Sequence, residues 1–311
     1  MHISGSELFH SVADDFGKTL RMIALGLCAI GTAVSASAHQ PRIITIDAPG
    51  AGTQQFQGTG CFEATDCSVL INNRGDITGY FLDKNNVFHG FLRTREGKYT
   101  VFDAPGADTT PGDENGTLPN AINDAGAITG VYFDSNSNGH GFLRSPEGKI
   151  ISFDVPGGLP GVINPTSLNL ESAVAGNFVD QSGIFRAFLR RPNGSFETWG
   201  GPGACNAPSG PNPCFGTGAF GINDLYTVAG GYEDNGGNLV NHALLRNFEG
   251  KFTAFQARGS GAGLYQGTGS PGSSTPINQF GATAGYYIDS NSVVHGYLRD
   301  PWGRITTFES M

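Results

Sequence analysis

An aspartate and a histidine recur at constant spacing along the chain, and these are the side chains with the most chemical potential. Each Asp lies four residues after a recurrent Gly, and the His follows six residues later, or eight in the fourth copy. Arg186 takes the His position in the third copy. Asp–His pairs can bind a metal ion or act as a general acid and base. The candidate ligand-binding residues are Asp83, His89, Asp134, His140, Asp180, Asp234, His242, Asp289 and His295.

The repetition of these pairs favours a structural role over a chemical one. Each Asp is expected to cap its own turn and to accept a hydrogen bond from the His across a hairpin. Because the pairs lie in separate repeats and away from the innermost strands, they cannot converge on one ion. The loop that begins at Asp134 resembles the start of an EF-hand, but its twelfth position is Ser145 rather than Glu. We therefore predict no catalytic residue, no metal site and no cofactor.

The pairs belong to a unit that occurs five times at intervals of 46 to 55 residues, counted between the recurrent glycines. Those glycines are Gly79, Gly130, Gly176, Gly230 and Gly285. Each unit contains four strand-like segments, a to d, separated by turn signals. Four antiparallel strands in this length are typical of one propeller blade, and neighbouring blades bury each other's faces.

The sequence therefore predicts an all-β fold, a five-bladed β-propeller that occupies residues 39–311 as one domain. The expected repeats are approximately 43–103, 104–154, 155–200, 201–256 and 257–311. A β-solenoid is the alternative, although its coils are usually shorter. Residues 43–47 resemble an additional strand d, so either they or residues 305–308 complete the last blade.

Composition and charge exclude several classes of protein. The 48 Gly residues among 311 and the low charged fraction, 14 %, argue against a helical bundle. With 38 % hydrophobic residues, the chain can bury a core and is not expected to be disordered. Its net charge of −9 makes it a poor ligand for nucleic acid or for an anionic membrane.

The first 38 residues have the parts of a cleavable secretory signal. Lys18 and Arg21 precede the thirteen-residue apolar segment Met22–Val34, and the small residues Ala36–Ala38 follow it. The apolar segment is too short to span a bilayer as a helix. We predict a secreted protein, extracellular or periplasmic, that is monomeric and not inserted in a membrane.

Four cysteines remain after the signal is removed, and they form two local pairs. In an exported protein the spacing indicates disulfides between Cys61 and Cys67 and between Cys205 and Cys214. A zinc site made of all four is the alternative, but their spacing matches no zinc-finger pattern.

The repeat resembles the HAF family of bacterial extracellular repeats. The resemblance rests on Ile122-Asn123-Asp124-Ala125-Gly126 and on His140-Gly141-Phe142-Leu143-Arg144, and it covers roughly residues 40–308. It departs in the third copy, at Arg186 and at Asn169-Leu170-Glu171. The family is functionally uncharacterised, so the resemblance implies the fold and export but no active-site residue.

Loop variation on a constant scaffold favours a binding function. The d–a connections vary most in length, and we expect them to form a binding face together with the Asp-headed b–c loops. We predict a secreted binding or surface-interaction module for glycan or cell-envelope material, with Phe56, Phe215 and Tyr265 as candidate contacts. A propeller glycoside hydrolase is the alternative, with Glu63 and Asp66 as its inner carboxylates.

Overall fold

Alternating apolar residues, separated by glycine-containing turns, fold each repeat into a short antiparallel sheet. The computed structural model describes residues 43–55, 57–60, 70–111, 115–206, 214–236, 238–269 and 276–309. The chain divides into residues 1–45 and residues 46–311, and the strands described below all belong to the second part. The described residues of the chain contain no helix that is long and apolar enough to cross a membrane.

Five successive sheets follow one another along the chain. The first contains β1 (Gly58–Thr59), β2 (Leu70–Ile71), β3 (Ile77–Leu82), β4 (Phe88–Arg93) and β5 (Tyr99–Phe102), where β1 and β2 both pair with β3 as two pieces of strand a. The second contains β6 (Thr117–Ile122), β7 (Ile128–Phe133), β8 (Gly139–Arg144) and β9 (Ile150–Phe153). The third contains β10 (Gly158–Leu168), β11 (Val174–Asp180), β12 (Phe185–Arg190) and β13 (Phe196–Trp199).

The last two sheets repeat the same order. The fourth contains β14 (Thr217–Ile222), β15 (Val228–Glu233), β16 (Asn241–Arg246) and β17 (Phe252–Phe255). The fifth contains β18 (Gly267–Thr268), β19 (Thr283–Ile288), β20 (Val294–Arg299) and β21 (Ile305–Phe308). A parallel pair, Asn241 with Gly267, joins the fourth sheet to the fifth. The prediction of an all-β chain of four-stranded antiparallel sheets is confirmed.

Antiparallel pairing places the connections on two opposite edges of the molecule. The a–b and c–d turns lie on one edge, which we call the turn face, and the b–c and d–a connections lie on the other, the loop face. In the second sheet, Gly126 in the a–b turn has φ of 90° and Gly148 in the c–d turn has φ of 95°. These angles lie in the left-handed region, which glycine enters without a steric cost, so glycine fixes both turns.

Neighbouring sheets pack through aromatic rings and arginines. Phe102 at the end of the first sheet contacts the fully buried Phe142 of the second, with ring centroids 6.1 Å apart. The guanidinium of Arg144 lies 5.1 Å from the centroid of the same Phe102 ring. The next three junctions repeat this cation–π contact at 4.5 to 5.1 Å, through Arg190 on Phe153, Arg246 on Trp199 and Arg299 on Phe255.

Asparagines link the a–b turns into a row around one axis. Asn72 donates from Nδ2 to the carbonyl of Asn123 at 3.0 Å, and Asn123 donates to the carbonyl of Asn169 at 2.8 Å. Residues from the a–b turns of all five sheets line one cavity of about 220 Å³. Sheets that meet at a common axis in this way have the arrangement of a β-propeller.

Among the described residues, no junction of this kind joins the fifth sheet to the first. Residues 305–308 form β21 and pair with β20, so they are the fourth strand of the fifth sheet, whereas residues 43–47 form no strand. Phe308 is 55 % exposed, and Arg93 lies over Tyr99 of its own sheet instead of over Phe308. The backbone N–H of Ala48 donates to Thr59 Oγ1 at 2.7 Å. Residue 48 thus takes the place where strand d of a preceding sheet would end.

Candidate functional site

The recurrent aspartates cap the b–c turns. In the second sheet, Asp134 Oδ1 accepts hydrogen bonds from the backbone N–H groups of Asn136 and Asn138, both at 2.8 Å. The other four turns repeat this pattern at Asp83, Asp180, Asp234 and Asp289. Hydrogen bonds from Asn138, with smaller contributions from Asn136 and His140, hold the pKa of Asp134 well below its usual range. Oδ1 of each of these carboxylates is therefore occupied by its own turn.

Each histidine of the first two sheets lies between two carboxylates. His140 Nδ1 is 2.9 Å from Asp154, and its Nε2 is 3.6 Å from Asp134. His89 repeats this arrangement, 2.9 Å from Asp103 and 3.7 Å from Asp83. The shorter contact joins the His to an acid fourteen residues later, at the end of strand d, and not to the turn Asp.

The fifth sheet has the same arrangement with a glutamate as the second acid. We call a His that is held between two such side chains a clasp. His295 Nδ1 is 2.7 Å from Glu309, and Nε2 is 3.3 Å from Asp289. The hydrogen bond that His295 donates to Glu309, followed by the interaction with the Asp289 carboxylate, raises the pKa of His295, although desolvation opposes the shift. In the first sheet the hydrogen bond to Asp103 raises the pKa of His89 against a smaller effect of burial.

In the fourth sheet a neutral amide replaces the second acid. Gln256 Nε2 donates to His242 Nδ1 at 2.9 Å, and Nε2 of the same ring lies 3.2 Å from Asp234. The ring also stacks on Tyr232, with centroids 4.8 Å apart. Similar stacks join His89 to Phe81, His140 to Tyr132 and His295 to Tyr287.

The structure brings each predicted Asp–His pair together but keeps the pairs in separate sheets. Among the described residues there is no group of three or more His, Cys, Asp or Glu side chains with metal-binding geometry. The second acids, Asp103, Asp154 and Glu309, are the functional neighbours that sequence reasoning missed. Their constant distance of fourteen residues from the His was the signal that could have found them.

The third sheet departs from the pattern and leaves a cavity open. Arg186 Nε donates to Asp180 Oδ2 at 2.7 Å, and its Nη1 donates to Asn206 Oδ1 at 2.9 Å. Gly200 stands where the other sheets have an acid or an amide, and a Cβ there would lie 2.7 Å from Nη1 of Arg186. Glycine at this position therefore leaves room for the guanidinium, and Gly200, Arg186 and Trp199 line a cavity of about 360 Å³.

A second cavity lies beside the first on the loop face. It measures about 200 Å³ and is bounded by His140, Asp154 and the first half of β10, residues 158–163. Phe178 lines both cavities, so the two are neighbours at the junction of the second and third sheets. We call the pair of cavities the third-sheet cleft. It combines a charged donor–acceptor pair, a histidine and aromatic surface, which is the composition of a small-ligand site.

The Arg186 guanidinium favours the ionised form of Asp180 inside this cleft. Partial burial alone would raise the pKa of Asp180. The hydrogen bond from Arg186 and two backbone N–H bonds outweigh that effect, and the pKa of Asp180 is lowered. The cleft therefore offers a fixed guanidinium and a fixed carboxylate to a polar ligand.

A disulfide braces the loop that supports Arg186. Cys205 and Cys214 are bonded, as predicted, with their Cα atoms 6.2 Å apart, and Asn206 follows Cys205 directly. Phe215, next to the other half-cystine, donates its backbone N–H to the buried Glu233 Oε2 at 2.8 Å. Burial raises the pKa of Glu233. The predicted second pair, Cys61 and Cys67, lies outside the described residues.

The sequence also predicted aromatic ligand contacts and two inner carboxylates, and the structure describes two of the aromatic residues. Phe215 is exposed and packs against Phe185, whereas Tyr265 is partly buried against the disulfide cluster. Phe56 and the candidate carboxylates Glu63 and Asp66 lie outside the residues that the structure describes.

Carboxylates at the axis are engaged by neighbouring turns. Asp124 Oδ1 accepts the backbone N–H of Asn73 at 2.8 Å, and Asp224 Oδ1 accepts that of Leu170 at 2.7 Å. Their function in this geometry is to join one a–b turn to the next.

Neither a family model nor a curated protein sequence matches the chain. Among solved structures, the chain is similar to the Aleuria aurantia lectin. A complex of a mutant of that lectin with Fucα1-6GlcNAc is 13 % identical, aligns over 78 % of this chain and 76 % of its own, and gives a TM-score of 0.41. A structure described as a fungal lectin with a six-bladed β-propeller fold is 12 % identical over 81 % and 82 %, with a TM-score of 0.40. At these values we draw nothing about the ligand of this chain from the likeness.

Proposed function

We propose that the protein is a secreted, five-bladed β-propeller that binds carbohydrate through the third-sheet cleft. The observation that carries this proposal is the double departure of the third repeat. Arg186 replaces the recurrent His, and Gly200, in place of the acid, leaves room for the guanidinium. These two changes put a guanidinium at the wall of a cavity where the other sheets have a His held by a second side chain.

The chemistry of the cleft fits a saccharide. The Arg186 guanidinium presents several N–H donors in one plane, and Asp180 presents acceptors beside it, a combination that matches adjacent hydroxyl groups. Arg246 lies over the Trp199 ring, and the part of Trp199 that remains exposed supplies apolar surface for a sugar ring. Asn206, which follows the disulfide-bonded Cys205, holds the arginine in place, so little conformational entropy is lost on binding.

The test restores the consensus pattern in the third sheet. In a variant that carries Arg186→His and Gly200→Asp, the closed clasp should form again and saccharide binding should be lost. Binding is measured on a glycan array and then by calorimetry with the best ligand, using residues 39–311. The matched control is Gln256→Glu, which gives the fourth sheet a second acid and should leave binding unchanged. Unaltered affinity in the folded double variant, checked by thermal unfolding, would refute the proposal.

Export, monomeric state and membership of the HAF-repeat family belong to the same proposal. The support for export is the N-terminal pattern of a basic flank, a short apolar segment and Ala36–Ala38. N-terminal sequencing of the exported protein should start at His39, and light scattering should give the mass of one chain. The motifs Ile122–Gly126 and His140–Arg144 support the family assignment.

A further inference from the structure

A further cavity lies on the turn face, between the fourth and fifth sheets, and its lining residues are those of a ligand-binding site. It measures about 360 Å³. Leu225 and Phe280 form its apolar side, and Asn247, Lys251, Thr253 and Arg299 form its polar side. We call this cavity the turn-face groove. It lies on the edge opposite to the third-sheet cleft, so its occupancy is independent of the function proposed above.

The side chain of Phe280 is largely exposed, and the turn that holds it does not require an aromatic residue. Its side chain is 82 % exposed, while its backbone N–H is bonded to Asn278 Oδ1 at 3.0 Å. The same position holds Arg74, Ala125, Glu171 and Leu225 in the other a–b turns, so the turn itself does not select an aromatic residue. An exposed ring beside a cavity is a surface that a ligand can cover, with a gain from the apolar area removed from water.

The charge of the groove is opposite to that of the chain. Lys251 and Arg299 line it, no carboxylate is among its described lining residues, and the chain as a whole has a net charge of −9. Within the described residues, the Lys251 side chain forms no ion pair. The nearest acid in sequence to Arg299, Asp300, accepts the backbone N–H of Arg304 at 2.8 Å. The groove therefore attracts an anionic group.

In the part of the chain that the structure describes, Arg299 lacks the acidic partner that Arg246 has. Arg246, which corresponds to Arg299, donates from Nη2 to Glu197 at 2.6 Å. Glu197 is particular to the third sheet, because the same position holds Thr100, Ile151 and Thr253 in the first, second and fourth sheets. Among the described residues no carboxylate pairs with Arg299 across its junction, so an external carboxylate can do so.

We propose that the turn-face groove binds an acidic saccharide, a sugar that carries a carboxylate. Its carboxylate is bound by Lys251 and Arg299, one face of its ring lies on Phe280, and its hydroxyl groups bond to Asn247 and Thr253. The volume of the groove is that of a small-ligand site and not of an extended peptide. A neutral sugar lacks the group that the two cations recognise.

The experiment uses trigalacturonic acid as the probe and a neutral galactose trisaccharide as its counterpart. Calorimetry on residues 39–311 should detect the acidic trisaccharide and not the neutral one. Lys251→Ala and Phe280→Ala should each weaken binding about tenfold, the effect of losing one charge-assisted or stacking contact. Higher salt should weaken the wild-type interaction.

Two matched controls come from outside the groove, one in the second repeat and one in the fourth. Lys149→Ala removes the equivalent lysine of the second sheet, and Phe248→Ala removes an exposed ring that does not line the groove; both should bind as wild type does. The variant that closes the third-sheet cleft should also keep this affinity, so the two sites are tested separately. Equal binding of the neutral trisaccharide, of Lys251→Ala, or of a short polyglutamate peptide would overturn the proposal, as would a lack of binding to the wild type.

Discussion

At the scale of single residues, the Asp–His–acid group is a clasp that closes the loop face of a sheet. In the first sheet, His89 on strand c links Asp83 of the b–c turn to Asp103 at the end of strand d. The imidazole also stacks on Phe81, with centroids 5.2 Å apart. Two carboxylates on one ring favour the protonated form, so the clasp depends on pH.

The pH dependence gives a prediction for Asp103→Asn. Because the folded pKa of His89 lies above the ordinary His value, protonation stabilises the fold below that value, and this contribution is lost as pH rises through the folded pKa. The variant should have a lower His89 pKa in an NMR titration. Its free energy of unfolding, measured with urea, should also decrease less than that of the wild type between about pH 5.5 and about pH 8.5. These two pH values lie on either side of the unperturbed His pKa. An unchanged His89 titration would contradict the assignment of Asp103 as its main partner.

At the scale of elements, the row of asparagines joins the a–b turns. Asn123 is 6 % exposed; its Oδ1 accepts the backbone N–H of Ala127 at 2.9 Å, and its Nδ2 reaches the carbonyl of Asn169. Asn278 makes the equivalent bond within its own turn, to Ala282 at 2.9 Å, but its side chain is exposed and donates to no other turn among the described residues. Asn123 therefore joins two sheets, whereas the Asn278 side chain stabilises only its own turn.

The prediction is that Asn123→Ala destabilises the protein more than Asn278→Ala does. Loss of the Asn123 side chain leaves the buried N–H of Ala127 without a partner and removes the bond to the next turn, which together cost about 2–3 kcal/mol, whereas loss of an exposed turn bond costs about 1 kcal/mol. Urea unfolding of both variants measures the difference. Equal losses would show that the bond between neighbouring turns contributes nothing to stability.

Most strands and turns could be predicted from the sequence, because the repeat displays the same turn glycines and the same alternation five times. The partner of each His could not be assigned, because it depends on the register of strands c and d. Gly90 pairs with Phe102 in that register, and this pairing places His89 beside Asp103. The exceptions Gly200 and Gln256 concealed the constant spacing, although Gly200 is the residue that opens the cleft.

At the scale of the whole molecule, the five sheets form a row with one open side. Each internal junction buries an aromatic residue of strand d against the next sheet, and the fifth sheet has no such neighbour among the described residues. Phe153 is 8 % exposed, 6.4 Å from Phe188 and beneath Arg190, whereas Phe308 is 55 % exposed. The repeat pattern in the sequence does not show whether the first and fifth sheets are in contact, because that contact would join the two repeats that are farthest apart in the chain.

The open side predicts unequal costs for two equivalent substitutions. Phe153→Ala should lower the free energy of unfolding by about 3–5 kcal/mol, because it leaves a cavity between two sheets. Phe308→Ala should cost about 1 kcal/mol or less, since the ring keeps much of its surface in water. Urea unfolding of both variants at low protein concentration gives the comparison. A loss at Phe308 as large as that at Phe153 would mean that the outer face of the fifth sheet is covered in solution. Light scattering would then distinguish contact with the first sheet of the same chain from contact with a second copy.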